Sequence, residues 1–156
     1  AQDKPVNPAF LFAAFLWEPV RMNVERLKAG GMSESEAMRH ASEAVLREQL
    51  RHISIPKRFS FPMREIWEMQ LRFPRRQGKS AIRLLEHKRF RAAYDFLVLR
   101  AHAGEADQEL AEWWTQFQEV MPEQRAAVVR ALAPAAGERP KSRRRNPEHG
   151  GDDQAG

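Results

Sequence analysis

Basic side chains that suit phosphate binding are concentrated in the middle of the sequence, between residues 51 and 100. This stretch holds thirteen arginine or lysine residues and only four acidic residues, whereas the whole chain has a net charge of +5. Most of these basic residues are arginines, whose planar guanidinium group matches the oxygens of a phosphate. Because phosphate neutralisation releases counterions and favours binding, the stretch predicts a polyanionic partner, with a solvated basic surface as the alternative.

The densest part of this stretch is the sequence RRQGK, Arg75 to Lys79, which separates two predicted helices. Gly78 would let the backbone approach a ligand closely, and the amide groups at the start of the next helix could face a phosphate. Contacts to phosphates carry little sequence information. The nine residues that we predict to contact phosphates are Lys57, Arg58, Arg75, Arg76, Lys79, Arg83, Lys88, Arg89 and Arg91.

Residues suited to catalysis or metal binding have no recognisable arrangement in this sequence. The chain has no cysteine, so disulfides, thiolate catalysis and zinc–thiolate sites are excluded. Its five histidines do not form an HExxH or another metal-binding spacing, and no Walker, GxSxG or Rossmann glycine motif occurs. We therefore predict that this chain has no catalytic residue, no metal site and no cofactor of its own.

The elements that must position the basic residues are predicted to be helices, since no sustained period-two pattern and no hairpin dipeptide occurs. Asn7 and Asp107 are suited to begin helices, whereas the Gly30-Gly31 pair and Gly104 are suited to end them. Apolar residues recur at helical spacing between these signals. The fold class is predicted to be all-α, an irregular helical bundle of about six to eight helices.

The inward face of one helix can also be predicted. In the helix that follows Ser33, the residues predicted to face inward are Ala37, Ala41, Ala44, Val45 and Leu50. Most aromatic side chains are predicted to lie in the core. Adjacent Trp113 and Trp114 cannot share one face of a helix, so one of them should lie at its edge.

The composition changes at Ala133, where proline, glycine and charged residues replace the apolar pattern. We predict a helical domain at residues 1–132 and a disordered polar tail at residues 133–156. The tail cannot bury enough apolar surface to offset its ordering entropy. It carries a short basic cluster, Lys141 and Arg143 to Arg145, before further acidic residues, so its contribution to binding should be modest.

The longest apolar run, Ala9 to Trp17, is too short to span a bilayer, so we predict a buried helix and no membrane partner. A signal-peptide core is the less favoured interpretation, because Glu18 and Pro19 follow the run where small residues would be needed. The absence of cysteine fits a reducing cytoplasm. The chain does not begin with methionine, which favours a piece of a longer protein.

Several motifs together resemble the C-terminal region of bacterial poly(A) polymerases. The region of resemblance extends from about Pro8 to Gln118. None of the motifs is specific alone, but the combination is. They are NPAFLFAAFLWEPV at Asn7–Val20, IPKR at Ile55–Arg58, RRQGK at Arg75–Lys79, LLEH at Leu84–His87, FRAAYD at Phe90–Asp95 and WWTQFQ at Trp113–Gln118.

The resemblance implies a function for the basic stretch. In that family a catalytic head uses ATP and Mg²⁺ to add adenylates to RNA 3′ ends, and a helical neck and body follow the head. The chain would then be the RNA-binding C-terminal part, with RNA 3′ ends, the parent's head and neck, and RNA-decay proteins as its partners. Its aspartates form no DxD pair, which two-metal chemistry would need, so the chain alone is predicted not to polymerise.

Two alternatives remain open at this stage. The chain could be the C-terminal part of a CCA-adding tRNA nucleotidyltransferase, which would engage folded tRNA. It could instead be a protein-interaction module whose basic surface docks an acidic partner of the RNA-decay machinery. Preference for tRNA over single-stranded RNA would indicate the first, and association that survives nuclease treatment would indicate the second.

Overall fold

Residues that favour the start of a helix alternate along the chain with residues that favour its end. The helices of the structure begin and end near these residues. The structure, a computed structural model, describes residues 7–52 and 55–132, without the side chain of Leu50. No strand occurs in these residues, which confirms the predicted all-α class. The α-helices are α1 (Pro8–Phe15), α2 (Trp17–Ala29), α3 (Glu34–His52), α4 (Ser60–Gln70), α5 (Lys79–Glu86), α6 (Phe90–His102), α7 (Gln108–Phe117) and α8 (Pro122–Arg130). A 3₁₀ turn, Lys57–Phe59, precedes α4.

Local signals account for the helix ends. The Asn7 carboxamide oxygen accepts a hydrogen bond from the Ala9 amide at 3.0 Å and so caps α1, as predicted. The Asp107 carboxylate caps α7 in the same way. At the end of α2, Gly31 adopts a φ of 101°, and the following amide donates back across the last turn. This left-handed glycine closes the helix as a Schellman motif.

Proline marks the break between the first two helices. Pro19 has no N–H to donate to the carbonyl four residues earlier, so a single continuous helix would lack that hydrogen bond. The chain accordingly breaks at Leu16, with α1 ending at Phe15 and α2 beginning at Trp17. Pro19 therefore lies in the first turn of α2, where its missing N–H costs no hydrogen bond within the helix.

The first of two apolar clusters, which we call the N-terminal core, joins α1, α2, α3 and α4. Trp67 on α4 is fully buried within it and donates its indole N–H to the carbonyl oxygen of Ala13 at 3.0 Å. This bond fixes α4 against α1. Other buried members include Val20, Ala41 and Ile66.

The second cluster, the C-terminal core, is formed by α5 to α8 and the turn after α4. Trp114 and Phe73 are fully buried and meet edge to face with ring centroids 5.3 Å apart. The Trp114 indole also donates to the Phe73 carbonyl oxygen at 2.9 Å. Helices α4 and α6 contribute residues to both cores, so they connect the two halves of the bundle.

Some sequence predictions about burial need correction. Ala44 is exposed, whereas Met38, Ser42 and Leu46 are buried on α3. Alanine lies on both sides of this helix, so the apolar pattern alone does not choose the face that packs on α4. Trp113 lies at the edge of α7 and Trp114 in the core, as predicted. Leu50's side chain and the tail predicted for residues 133–156 lie outside the described residues.

None of the helices in the described ranges is both long enough and apolar enough to cross a membrane. Ala9 and Ala13 on α1 are buried in the N-terminal core. Leu11 and Phe15 on the same helix are exposed. The apolar run near the start of the chain therefore forms α1 and the first residue of α2, and it is buried on one side only, whereas the sequence predicts a buried helix.

Candidate nucleic-acid interface

Three arginines from two elements line a groove of about 320 Å³ between α3 and the end of α4. They are Arg39 on α3 and Arg72 and Arg75 in the turn that follows α4, and we call this feature the arginine groove. Leu71 contributes an apolar surface to it, while Ser35, Glu36 and Glu68 complete its lining. None of the three arginines takes part in an ion pair with another described residue.

The turn after α4 holds two of these arginines in place. The amide of Arg72 donates to the Met69 carbonyl oxygen at 3.0 Å, and the amide of Arg75 donates to the Arg72 carbonyl oxygen at 3.0 Å. Phe73 lies between them and is buried in the C-terminal core. Because its ring is fixed there, the side chains of Arg72 and Arg75 are left to line the groove.

Lys57 and Arg58 lie in the 3₁₀ turn on another part of the molecule. Lys57 is exposed and lines a shallow pocket of about 390 Å³ together with Arg47 and Arg64. Arg58 is also exposed, and its guanidinium carbon lies 4.7 Å from the centre of the Phe59 ring. Neither residue is in an ion pair with a described acidic group, so both are free to meet a phosphate.

Helix α5 presents a further basic edge. Lys79 and Arg83 are exposed and lie four residues apart, so they are neighbours on one side of the helix, whereas Ala81 and Leu84 are buried. Gly78 precedes the helix with a φ of 63°, which confirms that the chain turns there in a conformation suited to glycine. Lys88, beyond the end of α5, is likewise exposed.

Three further predicted phosphate-binding residues, like Arg58, already have partners in the protein. Arg89 Nε lies 3.4 Å from the Glu65 carboxylate, and Arg91 Nε lies 3.6 Å from the Asp95 carboxylate. The guanidinium of Arg76 lies over the Trp113 ring, 5.5 Å from its centre. A phosphate would therefore compete with an internal contact at each of these residues.

The nine predicted residues do not all line one cavity. Arg75 lines the arginine groove, whereas its neighbour Arg76 lines a larger cleft on the other side of Leu71, and Lys57 lines a third pocket. Their role in phosphate contact stays a prediction. Arg39 and Arg72 are not among the nine residues predicted from the sequence, although Arg72 belongs to the basic stretch. Arg39 lies outside that stretch, and only the packing of α3 against α4 brings it to the groove.

Metal ligands are not brought together in the part of the chain that the structure describes. Among the described residues, no three histidine, aspartate or glutamate side chains are placed to hold a metal ion. The nearest arrangement of this kind is Glu65 with His87, whose Nε2 lies 3.2 Å from the carboxylate. His87 Nδ1 accepts from the Arg89 amide at 3.0 Å, so the neutral ring carries its proton on Nε2 and donates it to Glu65. This contact orders the turn between α5 and α6.

The all-α fold and its arginine-lined groove define a basic helical module suited to an anionic ligand. Comparison with known proteins gives the family. The family described as "Polymerase A arginine-rich C-terminus" matches residues 30–149. The chain therefore belongs to the family of polymerase A arginine-rich C-terminal regions, which confirms the resemblance found in the sequence.

Individual relatives agree with this family. The chain is 42% identical over 146 residues to a protein named "Poly(A) polymerase I" from Escherichia coli O6:H1, covering 92% of this chain and 30% of the relative. It is 42% identical over 130 residues to the protein of the same name from Salmonella typhi, covering 81% and 28%. The Haemophilus influenzae protein is 41% identical over 126 residues, covering 80% and 28%. The chain thus spans less than a third of the length of these relatives.

Proposed function

We propose that this chain is the non-catalytic, RNA-binding C-terminal part of a bacterial poly(A) polymerase. Its role is to hold the phosphate backbone of RNA and to help deliver the 3′ end to the parent's catalytic head. The observation that carries this proposal is the arginine groove, where Arg39, Arg72 and Arg75 converge without an ion pair to any described residue. Three guanidinium groups around an apolar residue suit a strand of phosphates and stacked bases.

The proposed parent activity is the addition of adenylates from ATP to RNA 3′ ends, which promotes RNA decay. ATP and Mg²⁺ would bind to the head of the parent, outside this chain, because two-metal phosphoryl transfer needs converging carboxylates that its sequence does not supply. The head and neck of the parent are then covalently linked partners, and proteins of RNA decay in the cytoplasm are further candidates. Polymerisation is therefore to be assayed with the full-length enzyme. The chain alone should not incorporate adenylate from ATP into RNA.

The proposal is tested by changing the arginine groove. Substitution of Arg39, Arg72 and Arg75 by glutamine removes three candidate phosphate contacts without removing a buried side chain. For single-stranded RNA each lost contact lowers the slope of log affinity against log salt by roughly 0.7, so we expect a decrease of about 2. Fluorescence anisotropy with a labelled single-stranded RNA over a salt series measures this slope.

A matched control removes three arginines elsewhere. Arg26 on α2 and Arg125 and Arg130 on α8 lie outside the arginine groove and outside the basic stretch, and their substitution by glutamine changes the net charge equally. The control variant should keep the salt slope of the unmodified chain. Equal slopes in the groove variant and the control variant would contradict the proposal.

A second variant tests the prediction made from the sequence. Substitution of Arg75, Arg76 and Lys79 by alanine should weaken RNA binding and flatten its salt dependence, since two of these side chains are exposed and unpaired. Unchanged affinity and slope would remove RRQGK from the interface. Preference for tRNA over single-stranded RNA would favour a CCA-adding parent, and nuclease-resistant association with another protein would favour an interaction module.

A further inference from the structure

A cleft with a volume of about 680 Å³ lies beside the arginine groove. It is bounded by α2, the start of α3, the turn after α4, and the loop between α6 and α7. Leu71 lines both the cleft and the arginine groove, so the two features adjoin. Within RRQGK, Arg75 faces the groove and Arg76 faces the cleft.

Arg100 lines this cleft in an unusual environment. Its Nη1 donates to the Gln70 side-chain oxygen at 3.1 Å, and its guanidinium lies over the Trp17 ring, 5.2 Å from the centre. Its Nε is buried and has no hydrogen-bond partner. Burial lowers the pKa of Arg100, while the charges of Glu105 and Glu34 act in the opposite direction.

Among the described residues, no carboxylate forms an ion pair with Arg100. Two other half-buried arginines do have such a partner. Arg64 lies 3.2 Å from a Glu43 oxygen, and Arg89 lies 3.4 Å from a Glu65 oxygen. Glu105, which lies near the cleft end of α6, is instead bound to Trp17 and Arg21. The charges of Glu105 and Glu34 act on Arg100 without a direct ion pair. A partly buried charge without a direct partner is costly, and an anionic ligand in the cleft would supply one.

Gln70 holds the guanidinium in its position. The Gln70 side-chain nitrogen donates to the carbonyl oxygens of Ile66 at 2.9 Å and Ala93 at 3.1 Å, so its oxygen is left facing Arg100. The side chain of Gln70 is buried. Because both ends of this amide are fixed, Arg100 is oriented before any ligand arrives, and little ordering entropy is lost on binding.

The other residues that line the cleft indicate which further chemical groups the ligand should carry. Arg76 adds a guanidinium that has no carboxylate partner among the described residues, whereas the other two cations of the lining, Arg21 and Lys28, are held by Glu105 and by Glu25 and Glu34. Asp107 and Glu109 add exposed carboxylates at the rim. Carboxylates repel further phosphates but accept hydrogen bonds from hydroxyl and amino groups. The cleft therefore suits a ligand with one anionic end and several donors, and its volume falls within the usual range of about 300–1,000 Å³ for small-molecule sites.

We propose that this cleft binds one nucleotide unit, with the phosphate on Arg100 and Arg76 and the sugar hydroxyls and base amino group toward the rim carboxylates. The inference rests on the proposed function, since it extends the RNA path from the arginine groove across Leu71 into the cleft. The nucleotide is either a unit of the bound RNA or a free nucleotide. Both sources present the same phosphate, ribose and base.

The test uses the chain with adenosine monophosphate as the probe. Substitution Arg100→Met removes the charge but keeps an unbranched side chain over Trp17. Loss of a charge-assisted contact should weaken binding in isothermal titration calorimetry by about tenfold or more. The matched control is Arg130→Met on α8, an exposed arginine that does not line the cleft and should leave binding unchanged. Adenosine and inorganic phosphate should each bind more weakly than adenosine monophosphate.

Folding is checked by thermal unfolding of both variants. The Arg100→Met variant loses a poorly compensated charge but also leaves the buried Gln70 side-chain oxygen without its donor, so its melting temperature should fall by a few degrees while the variant stays folded. If that variant does not fold, Arg76→Gln takes its place, because Arg76 lies at the cleft edge and over Trp113. Equal affinity for adenosine monophosphate in the unmodified chain and in the folded Arg100 or Arg76 variant overturns the inference.

The source of the nucleotide is decided by competition with a short oligoadenylate. Displacement of the oligoadenylate by adenosine monophosphate, together with weaker oligoadenylate binding by the Arg100→Met variant, supports a unit of the RNA. Binding of the mononucleotide without displacement supports a free nucleotide in the cleft. Failure of adenosine monophosphate to bind, with RNA affinity still dependent on the arginine groove, overturns this inference and leaves the proposed function standing.

Discussion

Neutralising Glu65 should strengthen RNA binding, because this carboxylate occupies Arg89. The Glu65 side chain is only 13% exposed, and its two oxygens lie 3.4 Å from Arg89 Nε and 3.2 Å from His87 Nε2. The His87 contact does not require a charged ring, so the charge of Glu65 acts mainly on Arg89. Glu65→Gln keeps the side-chain shape and one acceptor oxygen but removes the negative charge.

The expected change in RNA affinity and in its salt dependence follows from the release of one guanidinium group, that of Arg89. One additional phosphate contact should steepen the salt slope for single-stranded RNA by roughly 0.7. A net gain of about 1 kcal/mol for such a contact corresponds to an increase in affinity of about fivefold at low salt. Since the Arg89–Glu65 pair is partly shielded from solvent, its loss should also lower the free energy of unfolding by about 0.5–1 kcal/mol.

Fluorescence anisotropy with single-stranded RNA measures the affinity and slope, and urea denaturation measures the stability. The control is Glu119→Gln, which removes the same charge from an exposed residue after α7 that has no ion pair with a described residue. The Glu119 variant should change affinity only slightly and leave the slope unaltered. If the Glu65 variant gave the same affinity and slope as the Glu119 variant, Arg89 would have no place in the RNA interface.

Three further predictions concern the scaffold that holds the groove and the cleft. Trp114→Phe leaves the buried carbonyl of Phe73 without its donor and creates a small cavity, so urea denaturation should give a loss of about 2–4 kcal/mol; a loss below about 1 kcal/mol would contradict this. Gly78→Ala meets no neighbouring atom but forces alanine into a backbone conformation, φ 63° and ψ −152°, that is essentially restricted to glycine, so it should cost about 1–3 kcal/mol, and an unchanged melting temperature would show that the turn relaxes. Asn7→Ala removes the α1 cap and should cost about 1 kcal/mol, whereas Asn7→Asp should preserve stability, as urea denaturation of both variants would reveal.

The sequence predicts the helices well because their ends depend on local chemistry. Asn7, Gly31, Gly78 and Asp107 act through their own side chains or backbone angles, and each occurs where the sequence suggested a boundary. The side of a helix that faces the core is predictable when large apolar residues mark it. The prediction for Ala44 is wrong because small residues on several sides of α3 leave the choice of face to tertiary packing.

The candidate site is less predictable, because its residues meet only after folding. Arg39 and Arg75 are far apart in the sequence, and no periodicity relates them. Arg100 is at the end of the basic stretch, but its buried Nε and its contact with Trp17 depend on the packing of α6 against α2. Composition can therefore locate the excess of positive charge, whereas the geometry of the groove and the cleft comes from the tertiary structure.

The pairing of each arginine, more than its mere presence, determines what it can contribute to an RNA interface. Arg91 is paired with Asp95, and Arg89 is paired with Glu65. At these residues the binding free energy is only the difference between the new contact with phosphate and the lost contact with the carboxylate. Arg72 and Arg75 share their groove with Glu36 and Glu68 but form no ion pair with a described residue, so a phosphate displaces no direct ionic contact there. Counting positive charges along the sequence treats these four side chains as equal. The structure predicts instead that affinity and salt dependence arise mainly from the unpaired members.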